Sequence, residues 1–188
     1  MAIDDAAHIH PASAAEWRAW LDSNHETATG VWLVTWRTAE EGRDPIPYED
    51  QVLEALAFGW IDATTRRLDH DRRAQYFAPR KPGSGWARTN KARIERLRAE
   101  GRMTPAGEAV IERAVADGSW TLLDDVENLV VPDDLAAALD RHAGSRANWE
   151  AFPPTAKRSI LWWITQAKRP ETRERRIEET ARLAAEGI

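Results

Sequence analysis

The chain has 188 residues, a net charge of −5 with its histidines neutral, ten tryptophans and no cysteine. That length buries a core without covalent staples, and the missing cysteines exclude disulfides, thiolate nucleophiles and Cys-based zinc or iron–sulfur sites. The first residues carry neither a basic nor an apolar leader segment, and no run approaches the roughly 18 apolar residues of a spanning helix, so a cytoplasmic protein without membrane insertion is expected.

Ser13 followed three residues later by Glu16 matches a capping box and predicts a helix whose Trp17, Trp20 and Leu21 share a face before Gly30. Residues 31–37, Val-Trp-Leu-Val-Thr-Trp-Arg, read as a strand with apolar groups on both faces. A second helix is predicted from Tyr48 or Glu49 to Phe58, with Val52, Leu53, Leu56 and Ala57 inward and Gly59 as its stop. Residues 60–68 and 73–79 are predicted as a β-hairpin turning through Asp69-His70-Asp71-Arg72. Beyond Trp86 the pattern is helical, over 86–100, 105–117, 133–142, 146–152, 155–168 and 171–186. The fold class is therefore α+β: a small antiparallel sheet with a hairpin packed by helices, then a helical C-terminal module. The acidic and apolar stretch 122–132 is the candidate boundary, giving domains at 1–130 and 131–188. The tryptophans are expected mainly as packing groups, since each brings a large apolar area and one N–H that needs a partner when buried.

Charge alternates along the chain. Residues 1–62 sum to −9, 63–98 to +8, 99–150 to −7 and 151–188 to +3. The basic segment holds eleven Lys/Arg against three acidic residues. It either forms an anion-binding face or pairs with its acidic flanks. Gly83-Ser84-Gly85 lies where the hairpin hands over to a helix, and the first N–H groups of a helix lack intrahelical acceptors. Those amides, the helix dipole, the Ser84 hydroxyl, Arg80 and Lys81 would together suit a carboxylate or phosphate. The competing reading makes Ser84 a helix cap. The spacing is not that of a P-loop.

Trp86, Asn90 and Arg93 recur at helical spacing and are expected on one face looking onto the hairpin. Asp62, two residues after Trp60, is expected as an ion-pair partner of Arg66, Arg80 or Arg93, or as a lone general base. Tyr48 is a further polar group for the same cleft. The candidate ligand-binding set is thus Tyr48, Trp60, Asp62, Arg80, Lys81, Ser84, Trp86, Asn90 and Arg93. No cofactor is implied. His8 with His10, and Asp69-His70-Asp71, are sparse metal motifs, and no metal site is expected from them. Near the C-terminus, residues 162–176 join an aromatic helix to a basic amphipathic one, read either as a helical hairpin with solvated Arg–Glu pairs or as a second cationic surface.

Several ordered motifs carry a family resemblance: Phe58-Gly59-Trp60-Ile61-Asp62, Phe77-Ala78-Pro79-Arg80-Lys81-Pro82, Trp86 with Asn90, Gly101-Arg102-Met103, and Ala167-Lys168-Arg169 with Glu171-Thr172-Arg173 and Arg176-Ile177. Over nearly its whole length the chain resembles the YdeI/OmpD-associated, or bacteriocin-protection, proteins. The resemblance implies association with an outer-membrane porin and protection against antimicrobial peptides, with residues 130–188 as the family's helical module. Members commonly carry a Lys or Arg before the loop serine and a Ser after the tryptophan, where this chain has Gly83 and Ala87.

Three functions compete on this reading. The first is a non-enzymatic stress or envelope-protection protein that binds an anionic small molecule or acidic protein partner through the basic hairpin. The second is nucleic-acid binding, with arginines on phosphates and Tyr76, Phe77 and Trp86 stacking on bases, against an acidic pI and no recognised motif. The third is an enzyme using Asp62, Tyr48 and Asn90 beside Arg80, for which no nucleophile–base pair or metal set is present. The oligomeric state is not fixed by the sequence.

Overall fold

In the computed structural model, which describes residues 3–40 and 42–188, the apolar alternation of Val31–Trp36 forms a strand at the heart of a four-stranded sheet. In chain order the strands are β1 (His8–Ile9), β2 (Val31–Trp36), β3 (Trp60–Arg67) and β4 (Arg72–Pro79), arranged β1-β2-β4-β3. The hairpin β3–β4 turns through Asp69, whose carboxylate accepts the amides of Asp71 and Arg72 at 2.9 and 2.8 Å. This is the local side-chain turn that Asp favours. Pairing shifts between Asp62 and Thr65, an irregularity in the edge strand β3. The sheet is mixed rather than purely antiparallel, because β1 pairs with β2 in parallel, His8 opposite Trp32 and Ile9 opposite Leu33. A strand of two residues is too short to display the alternation from which a strand is read.

The chain divides into two compact units, Met1–Thr121 and Leu122–Ile188. In the first, helices α1 (Ala14–Asn24), α2 (Tyr48–Ala57), α3 (Arg88–Ala99) and α4 (Pro105–Ala116) surround one core. Ser13 caps α1 by accepting the Glu16 amide at 3.2 Å, while Glu16 reaches back to the amide of Ala12 at 2.8 Å. Val31, Leu33 and Phe77 present one sheet face to Trp17 and Leu21 of α1 and to Val52 and Leu56 of α2. Every residue of α2 from Gln51 to Ala57 is buried, so it is the central helix of this unit. The other sheet face carries a smaller cluster of Trp32, Val34, Ala74 and Tyr76 with Ala6, which follows a short 3-10 turn at Ile3–Asp5. Buried indoles find acceptors: Trp17 donates to the Gln51 carbonyl at 3.1 Å and Trp32 to that of Ile3 at 2.9 Å.

The second unit is helical: α5 (Asp124–Glu127), α6 (Asp133–Arg141), α7 (Ser145–Ala151), α8 (Pro154–Thr165) and α9 (Pro170–Ala185). Ile177, Ala181 and Ala184 of α9 pack with Leu135 and Leu139 of α6, Trp149 of α7 and Leu161 of α8. Small residues let α9 approach α7 closely, and Ser145 and Asn148 donate to the Ala181 and Ala184 carbonyls, each at 2.8 Å. The fold is α+β with a helical C-terminal region. Among the described residues, no helix is long and apolar enough to cross a membrane.

Candidate functional site

Strand β4 delivers Arg80 to the end of the sheet, where its amide donates to the Gly59 carbonyl at 3.0 Å. Gly83 then turns the chain with φ of 74°, and the loop returns so that Trp86 enters the core at 1% exposure. The Arg80 guanidinium lies 3.9 Å over the Trp86 ring, a cation–π contact. One of its terminal nitrogens donates to the carbonyls of Ser84 and Gly85. Its Nε is buried without a hydrogen-bond partner. Among the described residues no carboxylate pairs with Arg80, and burial pushes its pKa down to about 10. Arg80 therefore remains a cation at neutral pH, held in a desolvated position against an indole and backbone dipoles alone.

Arg80 borders a cleft of about 980 Å³, within the size range of small-molecule sites. Lys81, Ser84 and, from α4, Arg113 share its charged end. Lys81 and Arg113 likewise have no ion pair among the described residues. One wall is Ala106 and Val110 of α4, and the floor is Ile61, Ala63, Tyr76 and Ala78 on the exposed part of the second sheet face. The segment from His25 to Thr29 forms the rim. His25 is fixed there by a 2.9 Å contact of Nδ1 with the Leu21 carbonyl and by packing on Phe58. Helix α4 reaches this position because Gly59, at φ 75°, and Gly107 leave room for it; a Cβ at Gly59 would stand 2.4 Å from Val110.

Four of the residues expected at the site, Trp60, Arg80, Lys81 and Ser84, line this cleft. Trp86 is the platform under Arg80, and Trp60 is buried at 1% exposure with its indole donating to the His25 carbonyl at 3.3 Å. The other four lie in a separate polar cluster at the start of α2. Tyr48 donates to the Asp62 carboxylate at 2.8 Å, and Gln75 donates to the same oxygen at 3.3 Å. Arg93 grips Glu49 with a fork of bonds at 2.6–3.1 Å and donates to Asn90 at 2.9 Å. Partial burial and the bond to Asp62 push the Tyr48 phenol up to about 12, so it is a neutral donor near pH 7.

Three sequence expectations are corrected. Asp62 pairs with none of Arg66, Arg80 and Arg93; its partners are a phenol and an amide. Ser84 does not cap α3, whose N-cap position is Ala87 with no side-chain bond, because the chain stays non-helical through the buried Trp86 until Arg88. For the same reason Trp86 does not share the helical face of Asn90 and Arg93. The loop amide of Gly83 is already bonded to Asp117 at 3.1 Å. Hydrogen bonds from Ser119, with that of Gly83 as a lesser addition, hold Asp117 below the ordinary carboxylate range. The Ser84 amide is likewise engaged, donating to the Lys81 carbonyl at 3.3 Å, so these two loop amides are taken up inside the protein. Arg113 was missed by the sequence reading. Its signal was present, since it follows Ala106 and Val110 on one face of α4, but only the Gly59–α4 contact places that face at the strand end. Among the described residues, no three His, Asp or Glu side chains gather where they would hold a metal ion.

Residues 9–110 match a family model described as a domain of unknown function, DUF8412. The chain belongs to that family. Residues 128–187 match a second model, Bacteriocin-protection, YdeI or OmpD-Associated, and form a domain of that type. No curated protein and no solved structure matches the chain. The resemblance expected to run along nearly the whole chain is therefore divided between two models. The bacteriocin-protection description attaches to 128–187, whereas Phe58–Asp62, the Arg80–Lys81 run and Trp86 with Asn90 fall in the DUF8412 domain.

Proposed function

We propose that the DUF8412 domain binds an anionic small molecule in the cleft beside Arg80, with Lys81 and Arg113 flanking the charge and the Ser84 hydroxyl as a further donor. The carrying observation is the desolvated Arg80 guanidinium, which lacks a carboxylate among the described residues and opens on a cleft of ligand size. A half-buried cation with no carboxylate beside it is costly, and groups perturbed by burial cluster at functional sites. In this reading the C-terminal domain supplies the protective role named in its family description, and the chain acts in stress or envelope protection in the cytoplasm.

A small anion accounts for the basic segment better than a nucleic acid does. Five of its arginines face internal carboxylates: Arg66 with Asp4, Arg72 with Asp69, Arg93 with Glu49, Arg96 with Glu100 and Arg98 with Glu108. Charges so engaged are poorly placed to track a phosphate backbone. Isothermal titration with acetate, inorganic phosphate and citrate, at low and at high salt, tests the proposal. Salt-sensitive binding that falls at least tenfold in Arg80→Met is expected; no heat from any anion would refute it.

A further inference from the structure

The cleft is asymmetric, and the asymmetry specifies more than the sign of its ligand. Its cations stand at one end: Arg80 and Lys81 follow the last residue of β4, and Arg113 lies one helical turn beyond Val110. From there the floor runs back along the hairpin. Ala78 pairs with Ile61; Ala63 and Tyr76 each lie two residues farther from the charged end, on the edge strand and on its neighbour. Four residues of strand separate Tyr76 from Arg80, a span of about 13 Å at roughly 3.3 Å per residue. Along it the floor offers alkyl groups and one aromatic ring, flanked by Ala106 and Val110. Ile61 and Ala78 are half-buried and Ala63 is exposed, so this trough is apolar surface open to a ligand.

We infer that the ligand is an amphipathic anion, a carboxylate or comparable headgroup at Arg80 joined to an unbranched alkyl body lying in the Ile61–Ala63–Ala78 trough. This deepens the anion-binding reading and rests on it. The side chains suit such a molecule for separate reasons. The guanidinium over Trp86 gives a planar, weakly hydrated donor for a carboxylate, while alanines leave a channel that any larger residue would fill. The floor carries no charged side chain, and the rim above it holds His25 and the Glu26 carboxylate, a negative group that disfavours a second negative charge along the body. A compact polyanion would engage only the charged end and leave the trough solvated.

The test is a titration series from acetate through hexanoate to decanoate, with inorganic phosphate as a headgroup-only probe and decylammonium as a chain of the opposite charge. Affinity is expected to rise roughly two- to fourfold per methylene until the trough is filled, with decylammonium at least tenfold weaker than decanoate. Arg80→Met should lower decanoate affinity at least tenfold. Ala63→Asp, at an exposed position that tolerates a polar side chain, should do the same to decanoate at high salt, where its added charge is screened, and should lower acetate and phosphate affinity by a clearly smaller factor; circular dichroism verifies its fold. Equal affinities for acetate and decanoate, or decanoate binding indifferent to Ala63→Asp, would overturn the alkyl assignment and leave anion binding standing. Decanoate binding indifferent to Arg80→Met would show adventitious adhesion and overturn it as well. Absence of binding by every anion would remove both readings together.

Discussion

Arg80 sets function against stability within one side chain. Its guanidinium is desolvated, stacks on Trp86 and leaves Nε without an acceptor, yet an apolar chain of similar length would fill the same space without a charge to dehydrate. Replacing buried charged groups by packed apolar ones is commonly neutral or stabilising. Arg80→Met is accordingly expected to keep or raise stability, by up to about 2 kcal/mol, while anion binding is lost; urea denaturation and titration on the same preparation measure both. A loss of more than about 1 kcal/mol would mark Arg80 as a structural group held by its carbonyl contacts. Trp86→Leu separates the platform from the charge. It leaves the cation in place without the indole face, so binding should weaken, and stability should fall by about 2 kcal/mol through lost packing beside Trp120.

Among the elements, α4 shows how the cleft wall is held. Thr104 caps it, accepting the Gly107 amide at 3.2 Å and donating to the Ala57 carbonyl at 2.6 Å, so the start of α4 is tied to the end of α2. A Cβ on Gly107 would stand 2.3 Å from that carbonyl oxygen, backbone that has little freedom to yield. Gly107→Ala should therefore destabilise by about 2 kcal/mol despite alanine's better helix propensity, and should weaken anion binding by displacing Arg113; chemical denaturation and titration give the two numbers. Glu54 on α2 is a second fastener. It is 5% exposed and binds Arg18 of α1 at 2.7 Å and Arg102 at 2.6 Å. Glu54→Gln removes the charge between two partly exposed arginines, and a loss of about 2 kcal/mol is expected, below the value for fully buried pairs. Most elements were legible in the sequence because their signals are local: the Ser13–Glu16 box, the Asp69 turn, Pro105 after Thr104. Strand β1 and helix α5 were missed because two and four residues carry no period. The cleft was half legible. Arg80, Lys81 and Ser84 stand together in sequence, but the wall that makes them a site comes from α4 through contacts at two glycines, and no spacing rule encodes that approach.

For the molecule as a whole, the alternating charge of the sequence becomes a set of ion pairs between distant segments, which the local count of +8 could not reveal. Glu49 meets Arg93 and Glu108 meets Arg98 in the first unit; Asp134 meets Arg173, and Glu178 meets His142 and Arg141, in the second. Hydrogen bonds from these partners hold all four carboxylates below their ordinary range. A carboxylate whose folded pKa lies below its unfolded value stabilises the fold fully above the unfolded pKa, near 4, and that stabilisation disappears as pH falls through the folded value. Because unfolding then takes up protons, stability must rise with pH across this window. These four carboxylates are expected to add no slope to the urea midpoint from pH 7 to about pH 5 and to make it fall continuously below about pH 4.5. Most of these groups are solvent-facing, so added salt should reduce the slope. Glu49→Gln should lower the midpoint at pH 7 and make the curve shallower below pH 4.5, since the substituted side chain no longer titrates. A midpoint that climbed on acidification, or a curve unchanged by Glu49→Gln, would show that these pairs do not couple folding to protonation.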